Sequence, residues 1–328
     1  MSKCKIAIIA GGDSSEIVVS LRSAQGIYSF LDHDRYEAYI VKLKKSDWHV
    51  DLPDGKTAPI DKNDFSFVWE GKRIRFDLAY ITIHGTPGEN GLLQGYFELI
   101  GLPYSCCGVL AAALTFNKYM CNHYLHAFDI PIARSILLRA GESISNDDVV
   151  SRIGLPCFIK PNVGGSSFGT TKVKETDQIQ PAIAHAFEEG EEVIIESFMK
   201  GTEITCGCYK TRQHEVVFPI TEVISKNEFF DYEAKYTASK VSEITPARIS
   251  EEIASSVKAT TSRIYDIIGC KGIIRVDYII IGNTPYLLEV NTTPGMTATS
   301  FIPQQVKAAG LEIKDVMTDI IENELTQR

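Results

Sequence analysis

The sequence predicts a fold that begins as a parallel α/β domain and continues as an α+β region. Three observations support this prediction. A continuous apolar strand at residues 6–10 passes through a glycine turn into an amphipathic helix, which is how a parallel α/β unit starts. After residue 117, most segments are short apolar runs with few helices between them. The chain has 328 residues, of which 44% are hydrophobic, so it can bury the cores of two or three domains.

The first predicted domain covers residues 1–117. Its first helix carries apolar side chains at helical spacing, and we expect Val18 to lie on the apolar side. The apolar positions are Ile17, Val18, Leu21, Ala24, Ile27, Tyr28 and Leu31. Further strands are predicted near residues 38–43 and 78–83, and a helix is predicted at 91–100. Together these elements favour a parallel sheet with helices packed on it.

The rest of the chain, from about residue 118, is predicted to form an α+β region. Helices are expected from Asn117 to Phe128, over QIQPAIAHAFEEG, and at about 251–268. The predicted strands are ARSILL, PCFIK, TTKV, VIIESF, ITCGCYK, EVVFPI, IIRVDYIII and PYLLEVN. A polar stretch at about 225–243 interrupts the later strands.

Composition argues against several classes of protein. The formal net charge is −9 and no Lys/Arg-rich face stands out, which argues against a nucleic-acid partner. The opening MSKCKIAIIA does not resemble a signal peptide, and no run approaches about 18 apolar residues, so we expect a cytoplasmic protein without membrane contact. Because no CxxC pair suggests zinc, we expect buried free thiols. The cysteines are Cys4, Cys106, Cys107, Cys121, Cys157, Cys206, Cys208 and Cys270.

The segment YLLEVNTTPGM ends an apolar strand with two oxygen-bearing side chains, Glu289 and Asn291. Residues two apart in a strand face the same side, so these two side chains should project together. On the same reasoning, Leu288 and Val290 should point the other way.

The preceding strand, IIRVDYIII, places Arg275 and Asp277 on one face in the same manner. GNTP between the strands is a hairpin signal, so Asp277 should lie beside Glu289. Two carboxylates about 4 Å apart repel by roughly 4 kcal/mol at an effective dielectric constant of 20, so a positive charge is needed between them. Oxygen ligands favour Mg²⁺ over zinc. Alternatively, Asp277 pairs with Arg275 and Glu289 with a lysine, and the spacing alone leaves both possibilities open.

The segment PCFIKPNVGGSSFGTTKV places Lys160 at a strand end, before a glycine- and serine-rich loop. Backbone N–H groups of such a loop can surround phosphate oxygens, although a glycine-rich hairpin alone is more often a simple turn. The chain contains neither GxxxxGK[ST] nor GxGxxG, which disfavours a P-loop protein and a nicotinamide oxidoreductase. Together with Lys118 and the carboxylate strands, the loop favours a site for a nucleoside triphosphate.

Six motifs give the chain an end-to-end resemblance to the D-alanine–D-alanine ligases of the ATP-grasp superfamily. They are GGDSSE, HGTPGENGLLQGYFELIGLPY, KPNVGGSSFG, FFDYEAKY, GIIRVDY and LLEVNTTPGMTATS. The resemblance implies an N-terminal parallel α/β domain at residues 1–117, followed by a two-part ATP-grasp domain at 118–196 and 197–328. The polar stretch at about 225–243 would then be a flap over the site. Closure of such a flap would keep water away from a reactive intermediate.

The same resemblance implies ATP-driven joining of two D-alanines through an acyl phosphate, for peptidoglycan precursor synthesis. It also implies Mg²⁺ or Mn²⁺, with two ions, and a homodimer. Three alternatives stay open: D-serine as the second substrate, another ATP-grasp carboxylate–amine ligase, and a nucleotide-binding regulatory module that has lost catalysis. The presence of Arg275 together with the metal-ligand motif argues against the last of these, because binding alone needs no oxyanion donor.

The resemblance further implies roles for individual residues. The implied ATP contacts are Lys118, Lys160, Lys235 and the Ser167 N–H at the phosphates, Glu196 with the backbone of Phe198 and Met199 at adenine, and Glu203 at ribose. The implied metal ligands are Asp277, Glu289 and Asn291. The implied substrate and catalytic groups are Glu16 at the first ammonium group, His84 near the first substrate, Ser166 linking Glu16 to Tyr236, Arg275 and the Gly295 N–H at the oxyanion, and Ser300 and Phe301 at the second substrate.

From the residues alone, some of these positions have simpler explanations. Glu16 begins the first helix, where a carboxylate is favoured by the helix dipole. His84 stands at a strand end, where histidine is more often a hydrogen-bonded turn residue. Val18 and Phe301 depart from the family pattern, which often has an acidic residue and usually a leucine at these places. Phe301 therefore leaves D-serine open as a second substrate.

Overall fold

The computed structural model describes residues 3–14, 16–165, 168–225 and 241–326. Within these residues the chain forms three main β-sheets, of five, four and six strands, and a small two-stranded sheet. The main sheets follow one another along the chain, and helices cover them. No helix in the described ranges is both long enough and apolar enough to cross a membrane.

The first sheet has the order β4-β3-β2-β1-β7. Its strands are β1 (Cys4–Gly11), β2 (Tyr36–Lys44), β3 (Asp47–Asp51), β4 (Thr57–Pro59) and β7 (Leu78–Ile81), beside the hairpin of β5 (Phe67–Trp69) and β6 (Lys72–Ile74). Its helices are α1 (Ile17–Phe30), α2 (Leu92–Ile100) and α3 (Val109–Phe116). β1 pairs in parallel with β2 and β7, which confirms the predicted parallel centre. β3 and β4 extend it in antiparallel fashion, so the sheet is mixed.

The buried face of α1 differs from the predicted one. Val18 is 55% exposed and Tyr28 is 41% exposed, so the expectation that Val18 lies on the apolar side was wrong. The buried residues of α1 are Ser20, Ser23, Ala24 and Ile27. Ser20 is suited to this face because its hydroxyl accepts a hydrogen bond from the Gly11 N–H at 3.0 Å and donates one to the Thr82 carbonyl at 2.8 Å. A search for apolar residues at helical spacing does not find this buried face, because part of it consists of serines that hydrogen-bond to buried backbone groups.

The second sheet is antiparallel, with the order β10-β9-β11-β8. The chain enters it through α4 (Lys118–His126), whose N-cap Asn117 accepts a hydrogen bond from the Met120 N–H at 2.9 Å. The strands are β8 (Ser135–Arg139), β9 (Cys157–Pro161), β10 (Thr171–Val173) and β11 (Glu192–Ser197). The helices are α5 (Asn146–Arg152) and α6 (Ile179–Phe187), with a 3₁₀ turn at Thr176–Gln178.

The third sheet is also antiparallel, with the order β15-β14-β12-β16-β17 and β13 paired to β12. Its strands are β12 (Thr202–Lys210), β13 (Glu215–Val217), β14 (Thr221–Ser225), β15 (Val241–Ile244), β16 (Ile273–Ile281) and β17 (Thr284–Asn291). Its helices are α7 (Glu251–Ile268), α8 (Phe301–Ala308) and α9 (Ile313–Leu325). β14 and β15 pair with each other at the two ends of the predicted flap, whose residues 226–240 lie outside the described part.

A β-bulge shifts the register of the β16–β17 hairpin. From the turn outward, Tyr278 pairs with Leu287, but Asp277 pairs with Glu289, so Leu288 is the extra residue. Leu287 is fully buried, whereas Leu288 lines the same cleft as Glu289. The predicted neighbours Asp277 and Glu289 are confirmed, and the bulge interrupts the regular alternation that was predicted for Leu288.

The C-terminal helices join the third sheet to the first. Met317, Ile320 and Ile321 of α9 are buried in one core cluster with Ile6 and Ile8 of β1. All eight cysteines are free thiols; seven are buried and Cys4 is half-buried, which confirms the expectation of thiols used for packing.

Candidate active site

A cleft of about 1540 Å³ opens between the three sheets. The predicted site residues that line it are Glu16, His84, Lys118, Lys160, Glu196, Phe198, Met199, Glu203, Arg275, Asp277, Glu289, Asn291, Gly295, Ser300 and Phe301. Ser166, Ser167, Lys235 and Tyr236 lie outside the described residues. The chain therefore brings together, from far apart in sequence, every predicted site residue that the structure describes.

The floor of the cleft is the polar face of the β16–β17 hairpin. Asp277 stands opposite Glu289, and Arg275 stands opposite Asn291. Arg275 forms a two-point ion pair with Asp277, from Nε to Oδ1 at 2.9 Å and from a terminal nitrogen to Oδ2 at 2.7 Å. Lys118 Nζ lies 3.5 Å from Glu289 Oε2. The two carboxylates are thus neutralised by an arginine and a lysine, the second of the two possibilities left open by the spacing.

The surroundings keep the Arg275 guanidinium charged. Burial alone would lower the pKa of Arg275, but the charge of Asp277 raises it above the ordinary value. Thr205 adds a hydrogen bond, since its hydroxyl donates to Asp277 Oδ1 at 2.6 Å. Thr205 was not among the predicted residues, because its role depends on β12 lying beside β16.

The donor set of the hairpin is compatible with a hard divalent cation. Asp277, Glu289 and Asn291 offer carboxylate and amide oxygens from one face. Asn291 is oriented by the Thr293 N–H, which donates to its Oδ1 at 3.1 Å. In the described ranges no three His, Cys, Asp or Glu side chains are grouped to hold a metal. The hairpin therefore fits Mg²⁺ that takes its remaining oxygens from phosphates and water, and does not resemble a self-sufficient metal cage.

Lys160 and Glu196 form an ion pair across the second sheet, with Nζ 2.5 Å from Oε2. Both side chains are largely buried, with exposed fractions of 19% and 9%. Burial alone would lower the pKa of Lys160, but the charge of Glu196 raises it. The residues implied at phosphate and at adenine thus contact each other.

The predicted adenine end contains an unforeseen cation. Lys172 Nζ lies 4.0 Å from the centre of the Phe198 ring, a cation–π contact beside Met199. The backbone N–H of Phe198 donates to the Pro156 carbonyl at 3.2 Å. Lys172 stands on β10, one strand beyond the glycine loop, and nothing in its local sequence marks it as a site residue.

The opposite end of the cleft is built around Glu16. Glu16 is the N-cap residue of α1, but its side chain makes no capping hydrogen bond. Its carboxylate instead approaches the glycine loop so closely that a Cβ at Gly165 would lie 2.3 Å from Oε2. Glu16 thus stands at the start of α1, where the helix dipole favours its charge, and its carboxylate also lies against the glycine loop.

His84 lies beside Glu16 and is only 6% exposed. Its Nε2 finds no hydrogen-bond partner among the described residues. Burial lowers the pKa of His84, against the opposing charge of Glu16, so the ring is neutral in the cleft. A buried, neutral ring nitrogen facing a cleft is able to contact a ligand.

Ser300, Phe301 and Gly295 form the wall next to the hairpin. Ser300 is the N-cap residue of α8, and its Oγ accepts a hydrogen bond from the Thr297 N–H at 3.1 Å. Phe301 follows at the first position of α8, and the guanidinium carbon of Arg275 lies 5.4 Å from its ring centre. A Cβ at Gly295 would lie 3.0 Å from Ser300 Oγ, so glycine lets this loop approach the serine.

Glu89 is a further cleft residue that the sequence analysis did not single out. Burial raises its pKa to about 7, against hydrogen bonds from Thr293 and the Gly85 N–H that favour the anion. Glu89 lies inside the motif HGTPGENG, but the motif does not indicate which residues Glu89 contacts.

Two family models match the chain. The model described as D-ala D-ala ligase N-terminus matches residues 5–107, and the model described as D-ala D-ala ligase C-terminus matches residues 124–322. A D-alanine–D-alanine ligase of Bacteroides fragilis is 68% identical over 322 residues, which is 98% of this chain and 99% of that protein.

Solved structures resemble the chain over nearly its whole length. The D-alanyl-alanine synthetase A of Vibrio cholerae has a TM-score of 0.89 at 30% identity, covering 99% of both chains. The VanG D-Ala:D-Ser ligase of Enterococcus faecalis has a TM-score of 0.86 at 30% identity, covering 98% of this chain and 100% of that one. A D-alanine–D-alanine ligase of Bacillus anthracis complexed with ATP has a TM-score of 0.79 at 28% identity, covering 99% and 98%.

Proposed function

The chain belongs to the D-alanine–D-alanine ligase family, and from this premise we propose that it joins two D-alanines to D-alanyl-D-alanine at the expense of ATP. The fold is the ATP-grasp fold of these ligases. The dipeptide would serve as a precursor of peptidoglycan. The relative at 68% identity bears the name of a D-alanine–D-alanine ligase, whereas the D-Ala:D-Ser ligase among the neighbours is 30% identical, so D-alanine is the better supported second substrate.

One observation carries the proposal: Lys118 and Lys160, which suit phosphates, line the same cleft as Glu16, which suits an ammonium group. A carboxylate and a triphosphate repel each other, so an enzyme that joins them must supply positive charge at their meeting point. Arg275 and Lys118 supply it at the floor of the cleft. Glu16 can hold the ammonium group of the first amino acid. The carboxylate of that amino acid would then point toward the lysines.

In the proposed first step, a carboxylate oxygen of the first D-alanine attacks the γ-phosphorus of ATP, and ADP leaves. Lys118 and Lys160, together with Lys235 and the Ser167 N–H, would hold the phosphates. Glu196, Phe198 and Met199 would hold adenine, and Glu203 would hold ribose. Because Lys160 is paired with Glu196, a nucleotide that contacts both residues has to separate this pair or share it.

In the second step, the amine of the second D-alanine attacks the acyl phosphate carbonyl. The amine loses a proton to water, the bond between the acyl carbon and the phosphate oxygen breaks, and phosphate leaves with the electron pair of that bond. Arg275 and the Gly295 N–H would stabilise the tetrahedral oxyanion. Ser300 and Phe301 would contact the second amino acid, and His84 the first. Ser166 would link Glu16 to Tyr236.

Asp277, Glu289 and Asn291 would hold Mg²⁺ or Mn²⁺, and we propose two ions at this site. When bound, the metal supplies positive charge at the phosphates. The supporting observation is that all three oxygen donors stand on one face of the hairpin.

The experiment that tests the function measures phosphate release and dipeptide formation with ATP, Mg²⁺ and single amino acids. We expect one phosphate per dipeptide with D-alanine and no response to L-alanine. D-Serine and D-lactate, each offered with D-alanine, test the second subsite. An equal response to L-alanine, or phosphate release without a dipeptide, would contradict the proposal.

We also propose that the ligase works in the cytoplasm as a homodimer. The support is chemical for the first point, since ATP is a cytoplasmic substrate and all eight cysteines are free thiols. Light scattering of the purified protein tests the second.

A further inference from the structure

Glu89 connects two loops that are far apart in the sequence. Its Oε2 accepts a hydrogen bond from the Gly85 N–H at 2.6 Å, and its Oε1 accepts one from the Thr293 hydroxyl at 2.5 Å. Thr293 Oγ also lies 3.5 Å from the Ile83 carbonyl oxygen. One carboxylate therefore ties the loop after β7 to the loop after β17.

Each of these loops carries part of the proposed active site. Gly85 directly follows His84, and the His84 carbonyl accepts a hydrogen bond from the Ser14 hydroxyl at 2.7 Å. The Thr293 N–H donates to Asn291 Oδ1 at 3.1 Å, and Gly295 lies two residues further on. The Glu89 carboxylate is thus one hydrogen bond from the backbone that carries His84 and one from the loop that carries Asn291 and Gly295.

The loop after β7 is closely packed against its surroundings. A Cβ at Gly88 would lie 2.4 Å from the Ile83 carbonyl oxygen, so the loop after β7 is folded tightly on its own strand. A Cβ at Gly85, whose φ is +76°, would lie 2.9 Å from Ser14 Cβ. The loop is held as a rigid unit, and the link through Glu89 fixes that unit against Thr293.

We propose that Glu89 and Thr293 form a positioning pair that sets the distance between the first-substrate end of the cleft and its oxyanion donors. This inference rests on the proposed function. The acyl phosphate must form on an amino acid held by the first sheet and be attacked beside donors held by the third. A displacement of about 1 Å in such a geometry can lower the rate by roughly 100-fold.

The test compares disruptive and conservative variants at both positions. Glu89→Ala and Thr293→Val each remove the link. Glu89→Gln keeps it, because the amide oxygen can accept from Gly85 while its NH₂ donates to a Thr293 hydroxyl that has turned to accept. Thr293→Ser keeps the hydroxyl. A matched control is Glu98→Ala, which removes a hydrogen bond of 2.6 Å from Tyr104 outside the cleft.

We expect kcat to fall by 10- to 100-fold in Glu89→Ala and in Thr293→Val, and phosphate release to exceed dipeptide formation because the misplaced acyl phosphate is lost to water. The double variant should be no worse than the more impaired single variant. Glu89→Gln and Thr293→Ser should stay within about threefold of the wild type. Glu98→Ala should lower Tm without changing the ratio of phosphate to dipeptide.

Three outcomes would overturn the inference. They are an unchanged ratio in Thr293→Val, a loss in Glu89→Gln as large as in Glu89→Ala, and fully additive losses in the double variant. If Glu89→Ala does not fold, the Thr293 pair of variants decides alone. A wild-type protein that makes no dipeptide refutes the proposed function instead, so the two failures are distinguishable.

Discussion

Arg275 and Asp277 stand two residues apart on one face of β16 and are joined by two hydrogen bonds, of 2.9 and 2.7 Å. The arginine therefore neutralises the carboxylate of Asp277, which would otherwise repel Glu289 across the hairpin. Any cation that enters this floor has to compete with Arg275 for the same oxygens, unless the arginine turns toward the substrate.

Asp277→Asn keeps the shape of the side chain but removes its charge. We expect turnover to fall at least 100-fold and the Mg²⁺ concentration for half-maximal activity to rise, because an amide is a poorer ligand than a carboxylate. Steady-state assays over a Mg²⁺ series measure both. Thr205→Val is the control, since it removes one hydrogen bond to Asp277 and should cost less than tenfold. Near-normal turnover in Asp277→Asn would exclude a metal role for this residue.

Phe301→Leu should change the KM of the second amino acid several-fold while leaving that of the first almost unaltered. The ring contacts Arg275 at the wall of the cleft, far along the chain from Glu16. Leucine lacks the π-face that attracts the guanidinium group. Kinetics with each subsite titrated separately provide the measurement, with D-serine included as an acceptor. Equal changes at both subsites would reject this placement.

Lys160→Met should raise the KM for ATP at least tenfold. It removes a cation from the cleft and leaves the largely buried Glu196 carboxylate unneutralised, which also opposes a triphosphate. The increase in Tm on adding ATP should also become smaller, because ATP binds more weakly. Thermal unfolding with and without ATP measures this without any turnover. Lys56→Met, at an exposed lysine, is the control. An unchanged ATP-induced shift in Lys160→Met would show that Lys160 does not contact the nucleotide.

Gly165→Ala should weaken binding of the first amino acid about tenfold and leave ATP binding nearly unchanged. Its Cβ would collide with the Glu16 carboxylate and displace the proposed ammonium ligand. Gly190→Ala is matched to it, because a Cβ there meets no atom within 4 Å. Isothermal titration of D-alanine with a non-hydrolysable ATP analogue measures both. A normal D-alanine affinity in Gly165→Ala would remove Glu16 from the first subsite.

The stability of the third sheet should depend on pH through Glu222. This buried β14 carboxylate accepts hydrogen bonds from Arg248 at 2.9 and 2.8 Å, and these bonds hold its pKa below the ordinary value of 4.5. A depressed carboxyl pKa contributes stability that is present above the unfolded value and is lost as the pH falls through the folded one.

Arg248→Met should therefore lower Tm at pH 7, and the difference from wild type should shrink below pH 4.5. Thermal unfolding across a pH series measures this. Arg35→Met, which removes an ion pair with the partly exposed Glu322, should have a smaller effect. A difference that is constant from pH 7 to pH 3 would refute the assignment.

The sequence predicted correctly those helices and strands whose ends are marked by capping or turn residues. Helix α7 was placed correctly because Ser250 caps its start through the Ile253 N–H and Gly269 ends it in a left-handed conformation. The hairpin turn was marked by GNTP, and β16 and β17 flank it as predicted. Short edge strands such as β4 and β6 were missed, because they gain their stability from pairing partners elsewhere and have little pattern of their own.

Site residues were predicted where a local motif indicated them. They were missed where their role depends on contacts between distant segments of the chain. Asp277, Glu289 and Asn291 were found from strand alternation and hairpin pairing. Glu89 and Thr293 were not, because their contact joins residues 204 positions apart. The family resemblance indicated the cleft as a whole, and the roles of its residues remain predictions until the variants above are measured.

The extra residue at Leu288 makes the length of β17 part of the catalytic design. Counted regularly from the turn, Asp277 would face Leu288 and Glu289 would face Val276 in the core, so an unbulged hairpin of the same sequence would bury its own acid. Deleting Leu288 would remove the bulge and leave the side chains of Glu289 and Asn291 in the cleft. An insertion beside Leu288 would instead turn both side chains toward the core. At this position the ligase should tolerate a change of side chain more readily than a gain in chain length.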